Sequence, residues 1–162
     1  MDNTERLLEL LNCGELDFVV VEGIFDKQHY DWMLFRNEPY VGICAADHQF
    51  AGKEVSIEAL LDECIVLREK GSGTRRILEW ELENSGYSLG AFARQINISS
   101  FEIIKELVRN HFGISFLYEA VVKKSAGLAQ FTCPPLTGMH EFNVVYLKNT
   151  GAGEIAQQFL SK

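Results

Sequence analysis

The sequence predicts an α/β fold from three observations. Runs of β-branched and aliphatic residues alternate along the chain with segments of helical period. The apolar runs Leu16-Asp17-Phe18-Val19-Val20-Val21 and Ile65-Val66-Leu67 lack polar alternation, as strands buried on both faces do, which favours mainly parallel pairing. Both end in glycine turns, Glu22-Gly23 and Gly71-Ser72-Gly73-Thr74, and the second opens straight into a helix.

Taken in order, Asn3 or Thr4 caps a helix over residues 4–11, with Leu7, Leu8, Leu10 and Leu11 as its apolar side and Gly14 as its stop. The first strand follows and ends at Glu22-Gly23. Residues 30–35 and 40–45 read as two strands separated by the corner Arg36-Asn37-Glu38-Pro39. Ser56 caps a short helix through Leu61, residues 65–67 form a strand, and 74–84 form a helix ending before Ser85-Gly86. After a strand at 95–98, Ser99 and Glu102 have capping-box spacing ahead of Ile103, Ile104, Leu107 and Val108. A strand at 113–117, an extended connector at Cys133-Pro134-Pro135-Leu136, a strand at 142–147 and a helix from about Gly153 complete the chain. The Asn37–Pro39 corner and the proline connector are the expected crossing points between lobes.

Hydrophobic residues make up 47% of the 162 and charged residues 23%, so a core of ordinary size is expected and extensive disorder is not. The net charge of −8 argues against direct binding of nucleic acid by these residues, because phosphate neutralisation needs clustered Lys and Arg. Cys13, Cys44, Cys64 and Cys133 have no CxxC spacing and read as buried free thiols, with no disulfide framework or metal site. Met1-Asp2-Asn3 runs directly into a helix, without a signal peptide, and no apolar run approaches a membrane span. The expected location is the cytoplasm.

The turn after residues 65–67 aims free backbone N–H groups and the positive end of a helix dipole at whatever lies beyond the strand, which suits an anion or a carbonyl. It is not a P-loop, having no Gly-Lys-Ser/Thr at the required offset, and it lacks the third glycine of a dinucleotide fingerprint. Asp17, Glu22, Asp47 and His48 stand in no nucleophile or metal-ligand spacing, so neither an enzyme nor a cofactor is expected. Two glycines cost backbone entropy that a plain helix cap would not require, which favours ligand contact at 71–74. For Ser99 with Glu102, capping alone is an equal alternative. Arg68 and Arg75 suit ion pairs or anion ligands, and Trp32 and Trp80 suit core or dimer contacts.

The ordered pieces Thr4-Glu5, Leu10-Leu11-Asn12-Cys13-Gly14-Glu15-Leu16-Asp17-Phe18-Val19-Val20, Ala46-Asp47-His48, Val66-Leu67-Arg68-Glu69, Gly71-Ser72-Gly73-Thr74-Arg75, Ser99-Ser100-Phe101-Glu102-Ile103-Ile104-Lys105 and Gly113-Ile114-Ser115-Phe116-Leu117 resemble the effector-binding domain of LysR-type bacterial transcriptional regulators. The resemblance covers essentially the whole chain. It implies a fold similar to type 2 periplasmic binding proteins: two α/β lobes with a small effector in the cleft between them. Residues 41–140 would form the second lobe, and 1–40 with 141–162 a first lobe lacking its opening β-α-β. It also implies a homo-oligomer, with DNA read by an N-terminal winged helix-turn-helix outside these residues, and no membrane partner.

On this reading Ser72, Gly73 and Thr74 would present N–H groups and hydroxyls to a carboxylate, sulfate or phosphate on the effector. Ser99 and Ser100 would do the same from the next helix, Glu22 and Gly23 would close the far wall, and Phe101 would supply an apolar face. The alternatives are a free-standing solute-binding protein of the same fold, or a dimerisation fragment without ligand binding.

Overall fold

The computed structural model describes residues 3–161. The first helix, α1 (Thr4–Asn12), is capped by Asn3, whose side chain accepts the Arg6 N–H at 3.0 Å. It stops where Gly14 takes φ +75°: the Gly14 N–H bonds to Leu11 C=O and the Glu15 N–H to Leu10 C=O, which closes a Schellman motif. Next come β1 (Phe18–Glu22), β2 (Tyr30–Ala45), α2 (Ile57–Leu61), β3 (Cys64–Leu67) and α3 (Gly73–Asn84). A 3-10 turn at Leu89–Ala91 leads to β4 (Arg94–Asn97), α4 (Phe101–Arg109), β5 (Ser115–Tyr118) and α5 (Glu119–Val122). The chain continues through β6 (Leu128–Phe131), β7 (Gly138–Leu147) and α6 (Ala152–Leu160).

The expectation of mainly parallel pairing is corrected. The five-stranded sheet has the order β1-β7-β2-β5, with β6 also on β2, and every ladder in it is antiparallel. Among the described residues, parallel pairing is confined to β3 with β4 and to isolated bridges such as Ile65 with Ile114. Burial on both faces predicts how apolar a strand is; it does not specify the direction of its neighbour.

The proposed corner at 36–39 is also absent. β2 runs through it as one strand, absorbing a register shift between Leu34 and Arg36 and pairing Arg36, Asn37, Glu38 and Pro39 with Phe142, Glu141, His140 and Met139 of β7. The long β2–β7 ribbon therefore joins the part of the molecule built on α1 and β1 to the part built on β3, α3, α4 and β5. Pro134 and Pro135 lie in a tight turn ahead of it, where the Leu136 N–H reaches Cys133 C=O at 2.7 Å.

Residues 118–132, which show no clear sequence pattern, supply α5 and β6. Ser100 rather than Ser99 caps α4, accepting the Ile103 N–H at 3.4 Å, so the Ser99/Glu102 capping box is not the cap used. α4 starts one residue later than that spacing requires.

Hydrophobic burial separates along these lines. Leu11, Val19, Val21, Phe25, Tyr30 and Val145 form one core between α1 and the sheet. β3 is buried on both sides: Ile65 and Leu67 join Ile77, Leu78 and Leu82 of α3, while Val66 joins Ile104 and Val108 of α4. Cys44, Cys64 and Cys133 are buried free thiols, but Cys13 is exposed just past α1, against expectation. Trp32 and Trp80 are exposed, which removes the core reading for both. Among the described residues no helix is long and apolar enough to cross a membrane.

Candidate functional site

The end of β1 lies directly against the start of α3. Glu22, on the last position of β1, accepts two bonds on Oε1: the Thr74 backbone N–H at 3.1 Å and the Thr74 hydroxyl at 2.7 Å. The positive end of α3 is thus met by a carboxylate of the chain itself. Burial pushes the Glu22 carboxyl above its ordinary range, opposed by the two Thr74 bonds and the charge of Arg68. Tyr40 holds the same turn from beneath, its hydroxyl donating to Thr74 C=O at 2.8 Å.

This contact explains the glycines. A Cβ at Gly73 would stand 2.5 Å from Glu22 C=O and 2.8 Å from Thr4 Oγ1, and Gly23, at φ +75°, would bring one to 3.0 Å from Ile77. Close approach of β1 to α3 thus accounts for Gly73 and Gly23, while Gly71 of the same turn takes φ +87°, a conformation that L side chains rarely adopt.

The predicted site residues do not converge on one cavity. Glu22 and Phe101 line a recess of about 320 Å³ between β1 and α4, together with Asn3, Thr4, Arg36, Arg68, Tyr118 and Phe142. Ser72 and Gly73 line a different recess of about 610 Å³ on the α1 side of the turn. Thr74 is buried between them, Ser100 serves as a helix cap, and Ser99 is exposed and lines neither. Gly23 borders the turn through its contact with Ile77 and Gly73.

The 320 Å³ cleft has the size of a small-ligand site. Its wall on the α4 side is the buried guanidinium of Arg68, 4.1 Å over the centroid of the Phe101 ring and forked onto Glu69 at 2.9 and 3.1 Å. Asn3 donates to the same Glu69 at 3.3 Å. The opposite wall carries Arg36, paired with Glu38 at 2.9 Å and 5.5 Å from the Phe142 ring. The Tyr118 hydroxyl is enclosed without a hydrogen-bond partner, although Tyr118 is only 2% exposed. An orphaned buried hydroxyl is costly and points to a partner that arrives from elsewhere.

Arg75 faces away. It bonds Glu79 at 2.7 Å, Asn97 Oδ1 at 2.7 Å and Arg68 C=O at 3.2 Å, pinning α3 to the ends of β3 and β4, so the ion-pair reading holds for it. Arg36, Tyr118 and Phe142 were missed from sequence. The available signals were a lone arginine after Leu34-Phe35 and a phenol at the end of the wholly buried strand β5. Among the described residues no cluster of His, Cys, Asp and Glu has the makings of a metal site.

A mixed α/β molecule with a small cleft between β1 and α4, lined by arginines, an aromatic ring and a buried hydroxyl, has the form of a small-ligand-binding domain. The LysR substrate binding domain model matches residues 1–161, and the chain belongs to that family. It is 33% identical over 123 residues to the HTH-type transcriptional regulator CysL of Bacillus subtilis (strain 168), covering 75% of this chain and 40% of that protein. It is 35% identical over 129 residues to the HTH-type transcriptional regulator CbbR of Rhizobium meliloti (strain 1021), covering 79% and 41%. The chain thus spans less than half the length of these two relatives. Its fold superposes on the regulatory domain of CcmR from Synechocystis PCC6803, solved in complex with 2-PG, with a TM-score of 0.83 and 27% identity over 98% of this chain and 77% of that one.

Proposed function

We propose that this chain is the effector-sensing part of a LysR-type transcriptional regulator, and that its effector is a small carboxylate, sulfate or phosphate held in the 320 Å³ cleft. The observation that carries the reading is the cleft itself, which gathers Arg36 and Arg68 around Tyr118, whose buried hydroxyl has no hydrogen-bond partner. Three charge-assisted bonds of roughly 1.5–3 kcal/mol each are of the size of the ~8 kcal/mol that a micromolar ligand requires. Both Thr74 bonds land on Oε1 of Glu22, which leaves Oε2 to accept from a hydroxyl on the effector. The preferred ligand therefore carries an anionic group and a hydroxyl. That a related regulatory domain was solved with 2-PG is in keeping with this class.

The lobes would divide along the β2–β7 ribbon, with 1–40 and 141–162 on one side and 41–140 on the other. Effector binding would shift their relative closure by no more than its differential affinity for the two states. In a homo-oligomer in the cytoplasm, that shift would reposition DNA-reading segments carried elsewhere in the regulator.

The test is a thermal-shift panel of hydroxycarboxylates, phosphate esters, sulfate and phosphate. A ligand at about 100 times its Kd adds about 2.7 kcal/mol, a rise of roughly 5–10 °C for a chain of this size. Tyr118→Phe should raise the Tm of the free chain, because it deletes an unsatisfied buried hydroxyl, while weakening the ligand about ten-fold. A panel without response, or a variant that responds like the parent, removes the assignment.

A further inference from the structure

Arg68 lines the cleft, but the carboxylate that grips it does not. On the reading that the cleft takes an anionic effector, we infer that Glu69 is the positioning residue of that site: it aims the free edge of the Arg68 guanidinium into the cleft and ties that aim to the docking of α1.

Glu69 holds one edge of the guanidinium, with Nε donating to Oε2 at 2.9 Å and Nη2 to Oε1 at 3.1 Å. Among the described residues Nη1 has no hydrogen-bond partner, so the opposite edge stays free. The plane of the group is set by Phe101, whose ring centroid lies 4.1 Å from Arg68 Cζ. Its backbone is fixed by Arg75, which donates to Arg68 C=O at 3.2 Å. One edge, one face and the stem are thus held, and the edge that remains is the kind that takes an anion through two parallel bonds. A loose arginine would give up the rotamer freedom of a long stem on binding; here that freedom is already lost in the free chain.

The same carboxylate reaches α1. Asn3 donates from Nδ2 to Glu69 Oε1 at 3.3 Å and to Lys70 C=O at 3.4 Å, and the Glu5 N–H bonds Gly71 C=O at 3.1 Å. Burial pushes the Glu69 carboxyl up, but the bonds from Arg68 and Asn3 and the charge of Arg68 outweigh it and hold the group below its ordinary range. Glu69 is therefore charged at neutral pH, as a fork on an arginine requires. Asn3 stands in the segment assigned to the first lobe and Glu69 in that of the second, so a shift of α1 reaches the arginine through one side chain.

Removing a carboxylate from beside an anion site ordinarily tightens the anion, because a repulsion disappears. Loss of positioning does the reverse, and the sign separates the two. The experiment is calorimetric titration of the whole chain with inorganic phosphate and with glycolate, alongside solvent exchange of the Arg68 Nε–H followed by NMR. Glu69→Ala should weaken the probe that binds the parent about ten-fold. Glu69→Gln, which keeps an oxygen for Arg68, should recover part of that loss. Asn3→Ser keeps a capping residue for α1 and should weaken binding about two-fold by loosening Glu69. In the free parent the Arg68 Nε–H should exchange slowly with water, and in Glu69→Ala rapidly.

Affinity unchanged or tightened in both Glu69 variants would make the residue a bystander or a competing charge and overturn the proposal, with the effector cleft intact. Rapid exchange of the Arg68 Nε–H in the free parent would overturn it without any ligand. Slow exchange in a parent that binds neither probe would instead strike the anion reading of the cleft and leave Glu69 a structural clasp, so the two readings fail separately.

Discussion

Gly73→Ala is expected to lower stability by about 1–3 kcal/mol, the range for overpacking a close contact. At 2 kcal/mol this is a fall in Tm of roughly 4–8 °C for a chain of this length. The new methyl would stand 2.5 Å from Glu22 C=O, 2.6 Å from Glu22 Cγ and 2.8 Å from Thr4 Oγ1. Two of these belong to the body of β1 or its side-chain stem, so β1 and α3 must separate rather than a flexible tip swing aside. Helix propensity acts the other way, because alanine inside a helix is favoured over glycine by about 1 kcal/mol. A net loss therefore measures the contact between β1 and α3. Thermal melts with and without a panel ligand check it: a variant as stable as the parent would show that the two elements are not held this closely.

Glu22→Gln is expected to change the pH dependence of stability more than the stability of any one acid condition. Burial raises the Glu22 carboxyl above its ordinary value in the folded chain, so the folded state binds this proton more tightly than the unfolded state does. Its contribution is fully present below the unfolded pKa and is lost as pH rises through the folded pKa. The parent should lose stability across that window relative to Glu22→Gln, whose amide oxygen still accepts from Thr74. Thr74→Val is the counterpart. It removes the hydroxyl bond at 2.7 Å to a largely buried carboxyl group, which costs roughly 1–3 kcal/mol. Urea titrations of the three chains from pH 4 to 8 check both. Parallel stability curves for parent and Glu22→Gln would mean that the carboxyl is not shifted.

Much of the element pattern was legible because it is local. The Asn3 cap, the Gly14 stop, the Ser56 cap and the run of β3 into α3 each depend on a few neighbouring residues and their backbone preferences. The continuous apolar run of β3 reflects helices on both of its faces. The continuity of β2 was not legible. Asn37 and Pro39 favour a turn when considered alone, and pairing with β7, which is about a hundred residues distant, overrides that preference. Ser99 and Ser100 are both plausible caps, and only the position at which α4 begins selects Ser100.

The sequence by itself determined that this chain builds an α/β fold of the LysR effector-binding kind, with a glycine turn opening a helix after a buried strand. The α/β alternation follows from side-chain period and turn chemistry, and the family kind from the resemblance that the ordered motifs carry. Only the tertiary structure decided what surrounds that turn. Long-range packing brings Glu22 onto Thr74, so that a carboxylate of the chain meets the helix start first assigned to an effector. The same packing sets Arg36, Arg68 and Tyr118, distant in sequence, around one cleft and leaves Ser72 facing another. Convergence of residues so far apart depends on how sheet and helices close on one another, which no local pattern encodes.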